Sequence, residues 1–256
     1  MTVSAINREI NGYIEELRLS AMKECYEEYA LKAENEKDNY KEYLLALLKE
    51  ESYRRKTNRT QRYLKESLLP LEKNFDMFDM DRVSLKLKRI TKELCEGGFL
   101  DRKENVLVFG KPGSGKTHLL CAIGQELIYK NRRVYFTQCG KITEMLLKAK
   151  KELKLDTALK KLAKFQALII DDIGYVQYSR EQMEVLFSLL AYRYETGSVM
   201  ITSNLPFSKW DQIFKDQMTT AAAIDRLVHH SVIIEMNMDS YRMEQANKKK
   251  EVMGKE

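Results

Sequence analysis

The sequence predicts an α/β fold: a three-layer αβα domain around a five-stranded parallel sheet, preceded by a small all-helical domain. Three observations carry this. From residue 105 onward short β-type runs recur, separated by stretches of helical periodicity, and that alternation builds a parallel sheet with helices on both faces. Residues 1 to about 70 contain no such run. A glycine-rich turn directly follows the first run and leads into a helical stretch, which places a strand–turn–helix unit at the start of the sheet domain.

In chain order, Ile14, Leu17, Ala21, Cys25 and Tyr29 fall on one face at helical spacing, and Tyr43, Leu44, Leu47 and Leu48 form a second such stripe. These define a helical N-terminal domain over residues 1–70. The stretch "SLLPLEKNFDMFDMD" contains Pro70 and then alternates aromatic and acidic residues, so 71–82 reads as a linker. The α/β domain spans 83–243. Its strands are expected at "NVLVFG", "RVYFTQ", "ALIID", "SVMITSN" and "SVIIEM", with helices over 116–129, 141–164 and 180–194. Residues 244–256 form a basic tail ending "NKKKEVMGKE".

Composition excludes several classes. An apolar content of 44% supports a core, and 32% charged residues suit a water-exposed surface. No apolar run approaches the length of a membrane span, and "MTVSAINREINGY" lacks the apolar region of a signal peptide, so a cytoplasmic location without membrane contact is expected. Cys25, Cys95, Cys121 and Cys139 lie far apart with no CxxC pair, as packed, reduced thiols do. Three histidines, two of them adjacent at His229–His230, offer no metal-ligand set. The net charge of +6 fits a polyanionic partner and equally an ordinary protein surface.

The turn after the first strand is "GKPGSGKT", Gly110, Lys111, Pro112, Gly113, Ser114, Gly115, Lys116 and Thr117, followed by His118. This is GxxxxGK[ST] between a strand and a helix. Glycines let backbone N–H groups converge on phosphates, and the helix start adds its positive end. Lys116 can reach the β- and γ-phosphates, and the Thr117 hydroxyl can ligate Mg²⁺. In "ALIIDDIGY" two carboxylates, Asp171 and Asp172, close an apolar strand side by side, an arrangement that needs a positive partner. A Mg–nucleotide supplies one: Asp171 suits the metal, and Asp172 the water that attacks the γ-phosphate. Asn204 ends "SVMITSN", the strand placed beside that of the glycine-rich turn. It can orient the attacking water or cap the turn that follows.

With these residues in place the chain resembles AAA+ ATPases, and within them the IstB-type helpers of insertion-sequence transposition, with DnaC-type helicase loaders as near relatives. The resemblance rests on "GKPGSGKTHLL", "LIIDDIGY", "MITSNLPFSKW", "AAAIDRLVHHSVIIE" and "MDSYR" in this order and covers most of the chain. It implies Walker A at Gly110, Gly115, Lys116 and Thr117, Walker B at Asp171 and Asp172, and sensor 1 at Asn204. "DRL" matches the box of the arginine finger, implying Arg226, a homo-oligomer, and ATP sites between subunits. Many AAA+ proteins carry Glu where this chain has Asp172, which implies slow hydrolysis that a partner stimulates. Only 52 residues follow Asn204, too few for a full helical lid, so Arg242 is not assigned to sensor 2.

Residues 52–65, "SYRRKTNRTQRYLK", hold six Lys/Arg and no acid. On a helix Arg55, Arg59 and Arg62 gather opposite Tyr53, Thr57, Thr60, Leu64 and Leu68, with Arg54 alongside. Such a face is either solvated or suited to phosphate contacts without sequence preference. The resemblance favours duplex DNA there and a transposase as partner. Two rivals stay in view: a helicase loader, and a P-loop phosphotransferase acting on a small molecule, which leaves "AAAIDRL" without a use.

Overall fold

The computed structural model describes residues 3–174, 179–210, 221, 224–225 and 227–238, and the chain divides into two compact units, 1–62 and 63–256.

The first unit is helical: α1 (Val3–Glu16), α2 (Ser20–Glu36) and most of α3 (Tyr40–Ser67). Ile14, Met22, Tyr26 and Leu47 form its core, with Cys25, Tyr29 and Tyr43 packed against them. The expected stripe from Ile14 to Tyr29 is interrupted. Arg18 takes a left-handed φ of +55° between α1 and α2, so the helical phase resets and Leu17 is left 62% exposed. In the second stripe Leu47 is buried, whereas Leu44 and Leu48 stay half exposed. The buried carboxylate of Glu51 caps α2. Its Oε2 accepts the N–H groups of Ala21 and Met22 at 2.8 and 3.2 Å, where the N-cap residue, Leu19, has no side-chain oxygen to offer.

The second unit holds the sheet. Strands β1 (Asn105–Gly110), β2 (Val134–Gln138), β3 (Ala167–Ile173), β4 (Ser198–Ser203) and β5 (Ser231–Met236) run parallel in the order β2-β3-β4-β1-β5. As expected, β4 lies beside β1, with Phe109 opposite Ser203. On one face α4 (Leu85–Glu96) and α6 (Lys116–Tyr129) pack over Val106, Val108, Ile169 and Met200. The other face carries α7 (Cys139–Lys151), α8 (Leu155–Leu162) and α9 (Arg180–Arg193) over Leu107, Leu168, Ile170 and Ile201. Alternate strand residues feed two cores, so each strand reads as a continuous apolar run. Helix α4 starts on Ser84, whose Oγ accepts the Leu87 N–H, and stops at left-handed Gly97, where the four-residue α5 (Gly98–Asp101) begins. The helix expected over 141–164 is two helices, because Leu153 turns left-handed at φ +56° between α7 and α8.

The stretch expected as a linker, 71–82, is folded onto this unit. Its alternation turns Phe75 and Phe78 toward Leu69, Val83 and the α6 side of the core and leaves Asp76, Asp79 and Asp81 exposed. At the opposite end of the sheet Arg193 is 2% exposed. Its guanidinium donates to the carbonyls of Phe165, Gln166 and Ser198 at 2.7, 2.9 and 2.7 Å, and burial pushes its pKa down to about 10. Among the described residues no helix is long and apolar enough to cross a membrane.

Candidate nucleotide site

The loop from Gly110 to Gly115 joins β1 to α6 and needs its glycines. A Cβ on Gly110, at φ +155°, would lie 2.4 Å from the Met236 carbonyl oxygen, and one on Gly115, at φ +92°, 3.2 Å from the Phe78 ring. The backbone therefore passes where no side chain fits, which is how amide groups come to line a concave surface. Lys116, at the first turn of α6, is buried, and its Nζ donates to the carbonyls of Gly110 and Lys111 at 2.8 and 2.9 Å. The lysine lies back across the loop, its charge held against backbone oxygen.

Strand β3 brings its two aspartates to the same place in different states. Asp171 is buried, and its Oδ1 accepts two hydroxyls, Thr117 Oγ1 at 2.7 Å and Thr202 Oγ1 at 2.6 Å. Asp172 is exposed, with a left-handed φ of +60°. Asn204, just past β4, presents a buried Oδ1 without a hydrogen-bond partner. The capping alternative fails there because Ser203 performs it: the Leu205 N–H donates to Ser203 Oγ at 3.1 Å.

These groups surround one cavity of about 530 Å³, lined by Pro112 to His118, Asp171, Asp172 and Asn204. Each predicted residue of the glycine-rich loop and of the two strand tips is thus at the cavity or in the loop that forms its floor. Arg226 and Arg242 lie outside the described residues. Sequence reading missed the remaining wall, Lys73, Met77, Phe78, Asp79, Arg82, Gln138 and Met238. Five of these seven come from the stretch read as linker, and the signal was present in the aromatics of "NFDMFDMD". His118 ties that stretch down: Nε2 lies 2.7 Å from the Asn74 carbonyl oxygen, and its ring meets Phe78 edge-on at 5.2 Å.

The residues fit a magnesium nucleotide. A glycine cradle that a Cβ would fill, and buried Ser114 Oγ and Asn204 Oδ1 without partners, are what a polyanion with ordered water would complete. Among the described residues no three His, Cys, Asp or Glu side chains converge as a metal cage. The sparse Thr117–Asp171 pair suits Mg²⁺, which keeps waters and phosphate oxygens as its other ligands. The thiols take no part; burial pushes Cys95 and Cys121 up to about 12.

The four arginines proposed for DNA lie on α3. Arg55 is committed within its own unit: Nε donates to Glu51 Oε1 at 2.6 Å and Nη2 to the Arg18 carbonyl at 2.8 Å. Arg54 pairs with Glu24 at 3.0 Å, and Arg59 and Arg62 are exposed. On the opposite face Leu64 packs against the core of the second unit, and Thr57 and Thr60 are partly buried. Tyr53 is 67% exposed, and Leu68, at φ +56°, falls just past the end of α3.

Residues 12–249 match the family described as IstB-like ATP binding protein. An insertion sequence ATP-binding protein of Sinorhizobium fredii, y4iQ/y4nD/y4sD, is 39% identical over 94% of this chain and 82% of its own length. The ATP-binding protein of insertion sequence IS5376 from Geobacillus stearothermophilus is 35% identical over 93% and 95%. Among solved structures, the DnaC helicase loader superposes with a TM-score of 0.56 at 20% identity, over 69% of this chain and 99% of that one. AMPPCP-bound DnaA from Aquifex aeolicus gives 0.56 at 18% identity, over 72% and 56%. At those identities the likeness establishes the AAA+ fold.

Proposed function

The chain belongs to the IstB-like ATP binding protein family, and from that premise we propose that it is an AAA+ ATPase of insertion-sequence transposition. In this reading it oligomerises on duplex DNA with ATP and presents that DNA to a transposase. The observation that carries the ATPase reading is the convergence of Lys116, Thr117, Asp171, Asp172 and Asn204 on one cavity behind the glycine loop.

The loop amides and Lys116 bind the β- and γ-phosphates, with Ser114 Oγ available to the same oxygens. Thr117 and Asp171 would hold Mg²⁺, which supplies charge neutralisation at the phosphates. Asp172, exposed at the cavity, orients the attacking water and accepts its proton, and Asn204 Oδ1 fixes the water's position. Met77, Phe78 and Met238, apolar residues of the wall, would receive the adenine. The short side chain of Asp172 supports slow turnover that a partner accelerates, and Arg226 of an adjoining subunit completes the site in trans.

The association of relatives at 39% and 35% identity with insertion sequences favours a transposase over a helicase as partner. The likeness to the DnaC loader concerns the fold. Duplex DNA is bound on α3 by Arg54, Arg59 and Arg62, while Arg55 keeps its tie to Glu51. A cytoplasmic location belongs to the same reading.

The test is role separation at the cavity, read by nucleotide binding and phosphate release with and without duplex DNA. Lys116→Ala should lose ATP binding, whereas Asp172→Asn should bind ATP and fail to turn it over. An Asp172→Asn protein that hydrolyses ATP at the wild-type rate would remove Asp172 from the reaction.

A further inference from the structure

Strand β3 carries one residue more than its neighbour needs. Ile170 pairs with Ile201, but the next matched pair is Ile173 with Ser203, so three steps along β3 span two along β4. The side chains record the slip. Leu168 and Ile170 pack on the α7/α9 side of the sheet and Ala167 and Ile169 on the α4/α6 side. Strict alternation would send Ile173 to the α4/α6 side, yet it packs with Leu168 and Ile170. The inserted residue is Asp172, exposed between two buried neighbours at φ +60°. A bulge of this kind breaks the ladder locally and re-aims one side chain.

The ladder acceptor at that point is replaced by a side chain, Thr202. Its fully buried hydroxyl accepts the Asp172 N–H at 2.9 Å and donates to Asp171 Oδ1 at 2.6 Å. Both directions are fixed, because an amide N–H only donates and an ionised carboxylate only accepts. A single oxygen therefore ties the backbone of the second aspartate to the side chain of the first. Ser203 repeats the device one residue on, its hydroxyl donating to the Ile173 carbonyl at 2.8 Å.

We infer that Thr202 is a positioning residue for ATP hydrolysis: its hydroxyl holds the left-handed bulge that presents Asp172 to the nucleotide cavity. The inference rests on the hydrolytic reading given above and adds to it a residue that touches neither nucleotide nor water. Valine in its place keeps the shape and removes the oxygen. The Asp172 N–H then has no acceptor at the bulge, and the left-handed conformation, costly for a residue with a Cβ, loses its support.

The experiment compares Thr202→Val with Thr202→Ser, each checked for folding and ATP affinity. Thr202→Val should lower kcat on the order of 10²-fold, the scale of a 1 Å misplacement, with ATP affinity little changed. Thr202→Ser, which keeps the hydroxyl, should stay close to the wild-type rate. A threonine needed only for packing would lower the melting temperature and leave kcat per folded molecule alone, and that result overturns the inference, as does an equal loss in both variants. If Thr202→Val does not fold, Thr202→Ala takes its place. Should the wild-type protein fail to hydrolyse ATP, the hydrolytic reading falls, and the crystal structure of the valine variant decides the rest. Asp172 displaced from the left-handed conformation supports the positioning role, and Asp172 unchanged overturns it.

Discussion

If α3 meets duplex DNA as proposed, the exposed Arg59 and Arg62 contact phosphate while Arg55 keeps its ties to Glu51 and the Arg18 carbonyl, and the two roles can be measured apart. Replacing Arg59 and Arg62 together with Ala removes two exposed cations. Each phosphate contact contributes about 0.9 to the slope of log K against log[salt] on duplex DNA, so the double variant should show a slope shallower by about 1.8. Between 50 and 200 mM salt the wild-type protein should therefore lose about 12-fold more affinity than the variant. The assay is fluorescence anisotropy with several unrelated duplexes, and the weakening should be uniform across them. Arg55→Ala should behave differently. It strips the charged partner from Glu51, which is 5% exposed and caps α2, and should cost the fold about 1–3 kcal/mol. A folded double variant with unaltered slope would refute the assignment of α3 to DNA.

Two further outcomes are expected, one from the proposed function and one from the capped helix α2. On the proposed reading that Arg226 acts in trans, Arg226→Ala protein should be inactive alone and regain hydrolysis when mixed with Asp172→Asn protein in a phosphate-release assay, because some interfaces would then join an intact acid to an intact finger; no recovery in subunit-exchanging mixtures would count against a site between subunits. Burial raises the carboxyl of Glu51, but Arg55 and the amides of Met22 and Ala21 outweigh it and hold the carboxyl below the usual carboxylate range. Its contribution to stability is thus present above the unfolded value of about 4.3 and lost as pH falls through the lower folded value. Thermal melts from pH 6 to pH 3 should show this loss in the wild-type protein and a smaller one in Glu51→Gln.

The parts of the molecule legible in the sequence are those where local pattern and chemistry coincide. The glycine loop lies between an apolar run and a helix because phosphate binding itself requires that order, and β4 beside β1 follows from the same topology. Where the structure departs from expectation, distant groups decide. Nothing local in "DDI" shows that Asp172 is an inserted residue, because the bulge exists only against β4 and the hydroxyl that secures it lies 30 residues away. Arg55 reads as one of a stripe until its contact with the Arg18 carbonyl, 37 residues distant, is seen. The segment 71–82 resembles a surface linker because seven of its twelve residues are charged or polar, yet Phe75 and Phe78 pack on the core and Phe78 also walls the cavity. Leu17 and Leu153 were misplaced by left-handed breaks at Arg18 and at Leu153 itself, which no glycine announces.

Arg193 bears on how the sheet assembles. Its guanidinium exchanges water for the carbonyls of Phe165 and Gln166, which precede β3, and of Ser198, which opens β4. A partly formed sheet with only one of these segments in place would hold a cation away from solvent without its acceptors, at a cost of several kcal/mol. Such intermediates should therefore be sparsely populated, with β3 and β4 closing together in refolding kinetics. Among the described residues no carboxylate pairs with it, and with its pKa at about 10 the arginine stays charged through the physiological range. Gly197 belongs to the same device, since a Cβ there would stand 2.6 Å from the guanidinium. The end of the sheet remote from the nucleotide cavity should thus couple the formation of β3 to that of β4.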